Sequence, residues 1–239
     1  MHNINFFTDS LQNLGLTLSE KQIEQFMKYY DMLIERNKVM NLTAITEFEE
    51  VINKHFIDSL SIIKVYQTLE NSNVLDMGTG AGFPGIPLKI AFPSINITLL
   101  DSLNKRVGFL NDVIQALDLN QITAIHGRAE DFGKNPAYRE KFDLCVSRAV
   151  AKLSSLSEYC MPYVKINGYF IPYKSGNIED ELEEAKKAIK IFGGTIEAVV
   201  KFNLPGTDLE RSFIVIKKVA ITPKLYPRSA GKPTKEPIK

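Results

Sequence analysis

Closely spaced glycines next to an acidic residue are the residues of this chain best suited to bind a small molecule. Residues 74–77 form a short apolar run that contains Asp76, and Gly78, Gly80 and Gly82 follow it. Glycine lets the backbone pass close to a ligand because no Cβ stands in the way. A glycine-rich turn directly after a strand is typical of a site for a nucleoside-containing cofactor. The alternative is a tight turn that binds nothing.

A second acid lies at the spacing that such a site needs. The apolar residues 97–100 end in Asp101, and Ser102 follows. An acid at the end of the second strand can accept hydrogen bonds from ribose hydroxyls. We therefore expect Asp101 and Ser102 to face the same ligand as the glycine turn.

The glycines satisfy two cofactor patterns. Gly80, Gly82 and Gly85 match the dinucleotide fingerprint, whereas Gly78, Gly80 and Gly82 match the pattern of methyltransferases. The dinucleotide pattern places its first glycine at the end of the strand, and here that residue is Gly78. Asp76 also suits a cation such as the methionyl part of S-adenosyl-L-methionine. This favours a methyl donor, with an NAD-dependent oxidoreductase as the alternative that a titration with NADH would test.

The elements that position these residues alternate along the chain. Strands are predicted near residues 73–77, 96–101, 122–126, 142–147, 167–173, 195–203 and 212–219. Helices are predicted near residues 83–91, 104–117, 151–164 and 178–192. This alternation indicates a parallel sheet with crossover helices, and the short last connection indicates an antiparallel hairpin. The expected fold class is α/β, a seven-stranded doubly wound Rossmann-like sheet.

The chain divides into three predicted parts. Residues 1–70 are expected to form a helical extension, in which Ser19 caps a helix and apolar residues recur at helical spacing. Residues 71–219 carry the sheet, and residues 220–239 form a basic tail rich in proline.

Ligands of open parallel sheets bind at the carboxyl ends of the strands. After the third strand this rule selects Ala129 and Glu130, which are suited to the adenine edge, and after the fourth it selects Arg148. Glu130 has the alternative of capping the next helix, and Arg148 that of a surface ion pair. Phe83 is predicted either to pack on the cofactor or to pack at the start of a helix.

Composition excludes several classes of protein. The chain has 239 residues, 44% of them hydrophobic, and a net charge of +1. No apolar run approaches the roughly 20 residues of a membrane span, so no membrane partner is expected. Cys145 and Cys160 form no C-x-x-C pair and the three histidines are scattered, so we expect no metal site and a cytoplasmic protein.

Positive charge is concentrated at the end of the chain. Residues 217–239 hold seven basic side chains and one acidic one, and four prolines are expected to keep the tail extended. Such a segment suits a phosphate backbone, although a solvated terminus is the alternative. The predicted RNA contacts are Lys38, Lys54, Lys224, Arg228, Lys232 and Lys235. Removal of residues 224–239 should then weaken RNA binding and leave donor affinity nearly unchanged.

The kind of methylation follows from motifs that the sequence lacks. Ser147 and Arg148 stand where amine methyltransferases carry an Asn-Pro-Pro-Tyr-like loop, and both cysteines are predicted core residues instead of nucleophiles. A ring nitrogen or hydroxyl remains as the acceptor, and guanine N7 has an exposed lone pair and no proton to remove. Proximity then suffices, with no catalytic residue beyond Arg148 as a possible substrate-orienting group. An RNA-binding protein that senses the donor is the rival interpretation.

Several further segments resemble one family. They are residues 37–45, 54–60, 75–88, 99–106, 127–130, 147–149 and 226–233. The chain resembles the glucose-inhibited division protein B family (GidB/RsmG), the bacterial 16S rRNA guanine-N7 methyltransferases. The resemblance implies a class I methyltransferase fold, S-adenosyl-L-methionine as donor, and the guanine at conventional nucleotide 527 of 16S rRNA as acceptor. It implies donor contacts at Gly78, Phe83, Ala129, Glu130 and Arg148.

The partner of such an enzyme would be 16S rRNA or a small ribosomal subunit particle, and we expect the protein to be a monomer. The polar residues Asn37, Asn41, His55 and Asp58 of the N-terminal segment have two interpretations. They either contact RNA near the donor or form a polar network that fixes the helices onto the sheet.

Overall fold

The computed structural model describes residues 3–239, so residues 1 and 2 of the predicted helical extension lie outside the described part. The strands are β1 (Asn73–Met77), β2 (Asn96–Asp101), β3 (Ile122–His126), β4 (Phe142–Arg148), β5 (Val164–Ser175), β6 (Gly194–Asn203) and β7 (Glu210–Lys218). They form one sheet in the order β3-β2-β1-β4-β5-β7-β6. Strands β1 to β5 are parallel, and β7 runs antiparallel to both β5 and β6. The predicted seven-stranded doubly wound sheet is confirmed.

Helices cover both faces of this sheet. Between the strands of the sheet, the chain forms the helices α5 (Gly85–Ala91), α6 (Asn104–Ala116), α7 (Ala129–Phe132), α8 (Leu153–Cys160) and α9 (Glu179–Ile191). Strands β1 and β4 are almost wholly buried, as expected for parallel strands with helices on both sides. Cys145 and Cys160 lie in the core on one side as buried free thiols, as predicted.

The bounds of two helices, α5 and α8, differ from prediction by two residues or more. Helix α5 begins at Gly85 and not at residue 83, because the N–H groups of Gly82 and Phe83 donate to the carbonyl of Thr79 and complete a turn there. Helix α8 ends at Cys160, and a 3₁₀ turn, Met161–Tyr163, leads directly into β5.

The N-terminal segment is helical, as predicted. Its elements are α1 (Ile4–Asn13), α2 (Glu20–Met40), α3 (Phe48–Val51), a π-helical turn Ile52–Ile57, α4 (Asp58–Leu60) and a 3₁₀ turn Ser61–Lys64. Ser19 caps α2 in a reciprocal capping box with Gln22. The aromatic rings of Phe7, Phe26 and Phe56 are fully buried and pack in the same core as one face of the sheet.

The basic tail is not extended throughout, so that part of the prediction is wrong. It folds back on α8 and forms a short helix, α10 (Lys232–Lys235), whose second residue is Pro233. Proline is tolerated in a first helical turn because the N–H that it lacks would have no partner in the helix there. The guanidinium of Arg139 holds the start of the tail by donating to the carbonyls of Thr222 at 2.6 Å and Tyr226 at 2.9 Å.

Across residues 3–239, the helices are all too short or too polar to cross a membrane. Over the same residues, no group of three or more histidine, cysteine, aspartate or glutamate side chains is placed to hold a metal ion.

Candidate functional site

A cavity of about 750 Å³ opens at the carboxyl ends of β1, β2 and β3. Because neighbouring parallel strands end at the same edge of a sheet, residues far apart in the chain meet there. Five of the predicted donor-binding residues line this cavity: Gly78, Asp101, Ser102, Ala129 and Glu130.

The glycine turn requires glycine at its first position. Gly78 has φ +69°, and a Cβ added there would lie 2.5 Å from Cγ2 of Val150. The N–H groups of Gly78 and Thr79 both donate to the carbonyl of Leu100, at 2.8 and 3.2 Å. The turn is thus anchored on the end of β2, and its backbone forms part of the cavity wall.

Asp101 is buried and fixed by backbone groups. Its Oδ2 accepts from the N–H of Gly80 at 2.9 Å, and its Oδ1 accepts from the N–H of Leu103 at 2.9 Å. Arg106 lies 3.5 Å from Oδ2 and also lines the cavity. Each carboxylate oxygen can accept more than one hydrogen bond, so Asp101 can still accept from ribose hydroxyls.

Asp76 supports the turn and does not line the cavity. Its Oδ2 accepts from Oγ1 of Thr79 at 2.6 Å and from the N–H of Gly85 at 2.8 Å. Full burial raises the pKa of its carboxyl to about 7. Since its bonded oxygen faces the turn, the structure gives no support to the predicted contact with a cationic methionyl group.

Gly82 and Phe83 pack against the N-terminal helices. A Cβ on Gly82 would lie 2.5 Å from Ile86 and 2.8 Å from Oη of Tyr29. The buried ring of Phe83 stacks on that of His55, with centroids 4.5 Å apart, and Cζ of Arg148 lies 5.1 Å from its centroid. Neither residue lines the cavity, so the structure does not place either one in the predicted contact with the donor.

Arg148 turns toward the N-terminal helices instead of the cavity. Its Nη1 donates to Oδ2 of Asp58 at 2.8 Å and to the carbonyl of Lys54 at 3.1 Å. Oδ1 of Asp58 accepts from Nε of Arg211 at 2.9 Å, so one buried carboxylate pairs with two guanidinium groups. The geometry is that of an internal ionic network that ties α4 to β4 and β7.

His55 and Asn37 of the N-terminal segment join this network, whereas Asn41 is exposed at the end of α2. Nη2 of Arg148 lies 3.3 Å from Nδ1 of His55, whose Nε2 lies 2.8 Å from Oγ1 of Thr43. Asn37 accepts through Oδ1 from the N–H groups of Leu42 and Thr43. Burial lowers the pKa of His55 to about 3, and the positive charge of Arg148 acts in the same direction. The imidazole is therefore neutral at pH 7. Of the two interpretations, the contacts support the structural network for Asn37, His55 and Asp58.

The predicted RNA contacts differ in how free their charges are. Lys224, Lys232 and Lys235 are exposed on the tail, where Lys232 lies 3.7 Å from Glu236. Lys38 and Lys54 pair with Glu35 and Glu50 one helical turn away. Arg228 is different, because its guanidinium forms a forked ion pair with the buried carboxylate of Glu158. That pair leaves Arg228 poorly placed to contact a phosphate.

The cavity wall also contains residues that the sequence did not indicate. Ser154, Ser155 and Tyr159 of α8 line it, together with Gly231 and Thr234 of the tail. The only feature of the sequence that linked the tail to the donor site was the family-like block at residues 226–233. Removal of residues 224–239 is therefore expected to lower donor affinity, contrary to the prediction from the sequence.

Solved structures share this fold. TYW2 of M. jannaschii, determined in complex with AdoMet, aligns with a TM-score of 0.51 at 16% identity. The match covers 63% of this chain and 70% of that one. The sheet is thus the Rossmann-like fold of class I S-adenosyl-L-methionine-dependent methyltransferases, as predicted.

The sequence itself decides the family. The model of the GidB family, described as rRNA small subunit methyltransferase G, matches residues 22–212. The chain belongs to this family. A relative in Lachnoclostridium phytofermentans, named ribosomal RNA small subunit methyltransferase G, is 59% identical to this chain. The match covers 100% of this chain and 98% of the relative. Another of that name, in Desulforamulus reducens, is 57% identical over 95% of both chains. The predicted class of enzyme, an rRNA methyltransferase with S-adenosyl-L-methionine as methyl donor, is confirmed.

Proposed function

We propose that this GidB-family enzyme transfers a methyl group to N7 of a guanine in 16S rRNA, the guanine at conventional nucleotide 527. The observation that carries the proposal is the cavity itself. It brings the Gly78 turn, Asp101 and Glu130 to one edge of the sheet in a chain that matches the family over residues 22–212.

The cavity wall fits S-adenosyl-L-methionine. Asp101 is oriented by Gly80 to accept from the ribose hydroxyls, and Glu130 is a buried acid that can accept from the amino group of adenine. The backbone at Gly78 lies in the cavity wall, where we place the methionyl part. When bound, the donor supplies a methyl group activated by its sulfonium.

The proposed acceptor needs no base, and the acids that line the cavity, among them Glu130, Glu181 and Glu184, have no such role in the proposal. Its wall, within the described chain, contains neither histidine nor cysteine. Both cysteines are fully buried in the core, and His55 lies behind Phe83 with a pKa of about 3. Guanine N7 has a free lone pair and no proton to lose, so alignment with the methyl group is enough.

The proposed partner is 16S rRNA or a small ribosomal subunit particle, which the enzyme would modify in the cytoplasm. We propose that lysines of the tail, Lys224, Lys232 and Lys235, contact its phosphates. Lys38 and Lys54 would join them by exchanging Glu35 and Glu50 for phosphate. We propose that the enzyme acts as a monomer.

A modified substrate tests the acceptor atom. A 16S rRNA fragment that carries 7-deazaguanosine at the target position keeps every Watson–Crick pairing group and has a C–H in place of N7. We expect no methyl transfer to it, and normal transfer to a matched RNA with 7-deazaguanosine at another loop guanine. Transfer to the first RNA at the wild-type rate would overturn the assignment to N7.

A further inference from the structure

The end of the chain forms one wall of the donor cavity. We call residues 222–239 the C-terminal strap. It crosses α8, and Gly231, Thr234, Pro237 and Lys239 of the strap line the same cavity as Asp101 and Glu130. The strap is therefore placed to act on the donor as well as on RNA.

The strap is fastened to α8 by a buried ion pair. Nε and Nη2 of Arg228 donate to Oε1 and Oε2 of Glu158 at 2.9 and 2.6 Å. The backbone N–H of Arg228 also donates to Oε1 of Glu158, at 2.8 Å. Glu158 is only 1% exposed, and forked charge-assisted pairs of this kind are geometrically specific. The pair fixes the path of the next few residues.

Three residues after that ion pair, the strap reaches a predicted donor-binding residue. The N–H of Gly231 donates to Oε1 of Glu130 at 2.8 Å. Oη of Tyr159 lies 2.7 Å from Oγ1 of Thr234 and holds the following turn on α8. The orientation of the Glu130 carboxylate thus depends on the strap, which leaves its second oxygen as an acceptor in the cavity.

We propose that the strap, held by Arg228 and Glu158, positions the Glu130 carboxylate so that the cavity selects the amino group of adenine. The inference rests on the proposed placement of the donor, with its adenine at Glu130. In this proposal, Arg228 is a positioning residue that acts through Gly231 and does not touch the ligand.

The chemistry of selection is simple. The amino group of adenine donates to a carboxylate, whereas the carbonyl oxygen of hypoxanthine at the same position repels it. A carboxylate held in one orientation imposes this difference fully, because it cannot turn away from the wrong base. A loosened carboxylate imposes less of it. The ratio of the affinities for the adenine and hypoxanthine compounds therefore reports the orientation of Glu130. A change in overall stability alone does not alter this ratio.

The experiment measures binding of S-adenosylhomocysteine and S-inosylhomocysteine to the full chain by calorimetry, without RNA. The test variant combines Arg228→Met with Glu158→Leu, which removes the ion pair and leaves no buried charge unpaired. The matched control combines Arg36→Met with Asp112→Leu, at an exposed ion pair outside the cavity wall. Glu130→Gln serves as the direct comparison.

We expect the preference for the adenine compound to fall by about tenfold in the test variant, the equivalent of one hydrogen bond to a charged group. Glu130→Gln should lower it as well, and the control variant should keep it. A preference within twofold of wild type in the test variant would overturn the proposal, even if the protein melts at a lower temperature. If the test variant does not fold, Arg228→Lys keeps a positive charge beside Glu158 but removes the forked hydrogen bonds, and the same criteria apply. Since no RNA is present, the result is independent of whether guanine N7 is the acceptor.

Discussion

The backbone N–H of Gly80 donates to Oδ2 of Asp101 across 2.9 Å and joins the glycine turn to the end of β2. Oδ1 of the same carboxylate holds the N–H of Leu103 at the start of α6. The two halves of the donor pattern, which the sequence separates by about twenty residues, are therefore one hydrogen-bonded unit. A change in one half is expected to disturb the other.

Replacement of Asp101 by alanine should weaken donor binding strongly. It removes the acceptor for the ribose hydroxyls and frees the N–H of Gly80, so we expect a loss of at least about tenfold. Calorimetric titration with S-adenosylhomocysteine measures it. Asp112→Ala, at an exposed acid of α6, is the control and should bind normally. Equal affinity of both variants would show that Asp101 does not contact the donor.

Gly78→Ala should reduce both stability and donor affinity. A left-handed φ of +69° costs an L-residue roughly 1–2 kcal/mol, and the new Cβ would displace Val150. Gly108→Ala is the matched control, because a Cβ there meets nothing within 4 Å and its helix should gain about 1 kcal/mol. Urea denaturation and donor titration of both variants provide the comparison. A fully stable Gly78→Ala protein with wild-type affinity would contradict the described turn.

Asp58→Asn should be severely destabilising. Asp58 is the shared partner of Arg148 and Arg211, and removing one member of a buried ion pair costs about 3–5 kcal/mol. Glu50→Gln, which breaks only the partly exposed pair with Lys54, should cost at most about 1 kcal/mol. The free energies of unfolding in urea test the contrast. Similar small losses for both would show that the network around Asp58 contributes little.

The sheet could be predicted from the sequence because its strands carry their own signal. Buried parallel strands such as β1 and β4 read as apolar runs, and the glycine turn marks where β1 ends. Local rules also found Asp101, Ala129 and Glu130, since Asp101 ends β2 and the other two lie in the turn and helix that follow β3. What a residue pairs with across the fold carries no comparable local signal.

Two groups of residues show this limit. Asp58 pairs with Arg148 and Arg211, 90 and 153 residues away, so its part in a network was only one of two interpretations. Arg228 pairs with Glu158, 70 residues away, and a run of basic residues gave no sign that one of them would be buried. The prolines of the tail suggested an extended chain, whereas this remote ion pair bends the tail onto α8.

Stability should depend on pH through His55. Its pKa is about 3 in the folded chain and 6.5 in its usual range, so the unfolded chain binds more protons between those values. The contribution of neutral His55 to the free energy of unfolding is therefore complete above about pH 6.5. It is lost as the pH falls toward 3. We expect His55→Gln to lose less stability than wild type between pH 7.5 and 5. Urea denaturation at both pH values checks it, and equal losses would contradict the burial of a neutral imidazole.

Asp76 should give the opposite sign. Burial raises its pKa from 3.8 to about 7, so the folded chain binds more protons between those values. Its contribution to stability is greatest below about pH 4 and is lost as the pH rises through 7. Between pH 5 and 8, wild type should therefore lose stability relative to Asp76→Asn in urea denaturation. A difference that is constant with pH would show that the Asp76 carboxyl is ionised throughout.

The most direct test of the proposed function is transfer of radiolabelled methyl from S-adenosyl-L-methionine to 16S rRNA, both naked and within small-subunit particles, followed by mapping of the modified base. We predict label on N7 of a single guanine in at least one RNA form, visible as strand scission after reduction and aniline treatment. Label on another atom, or none in either form from protein that binds the donor, would contradict the account.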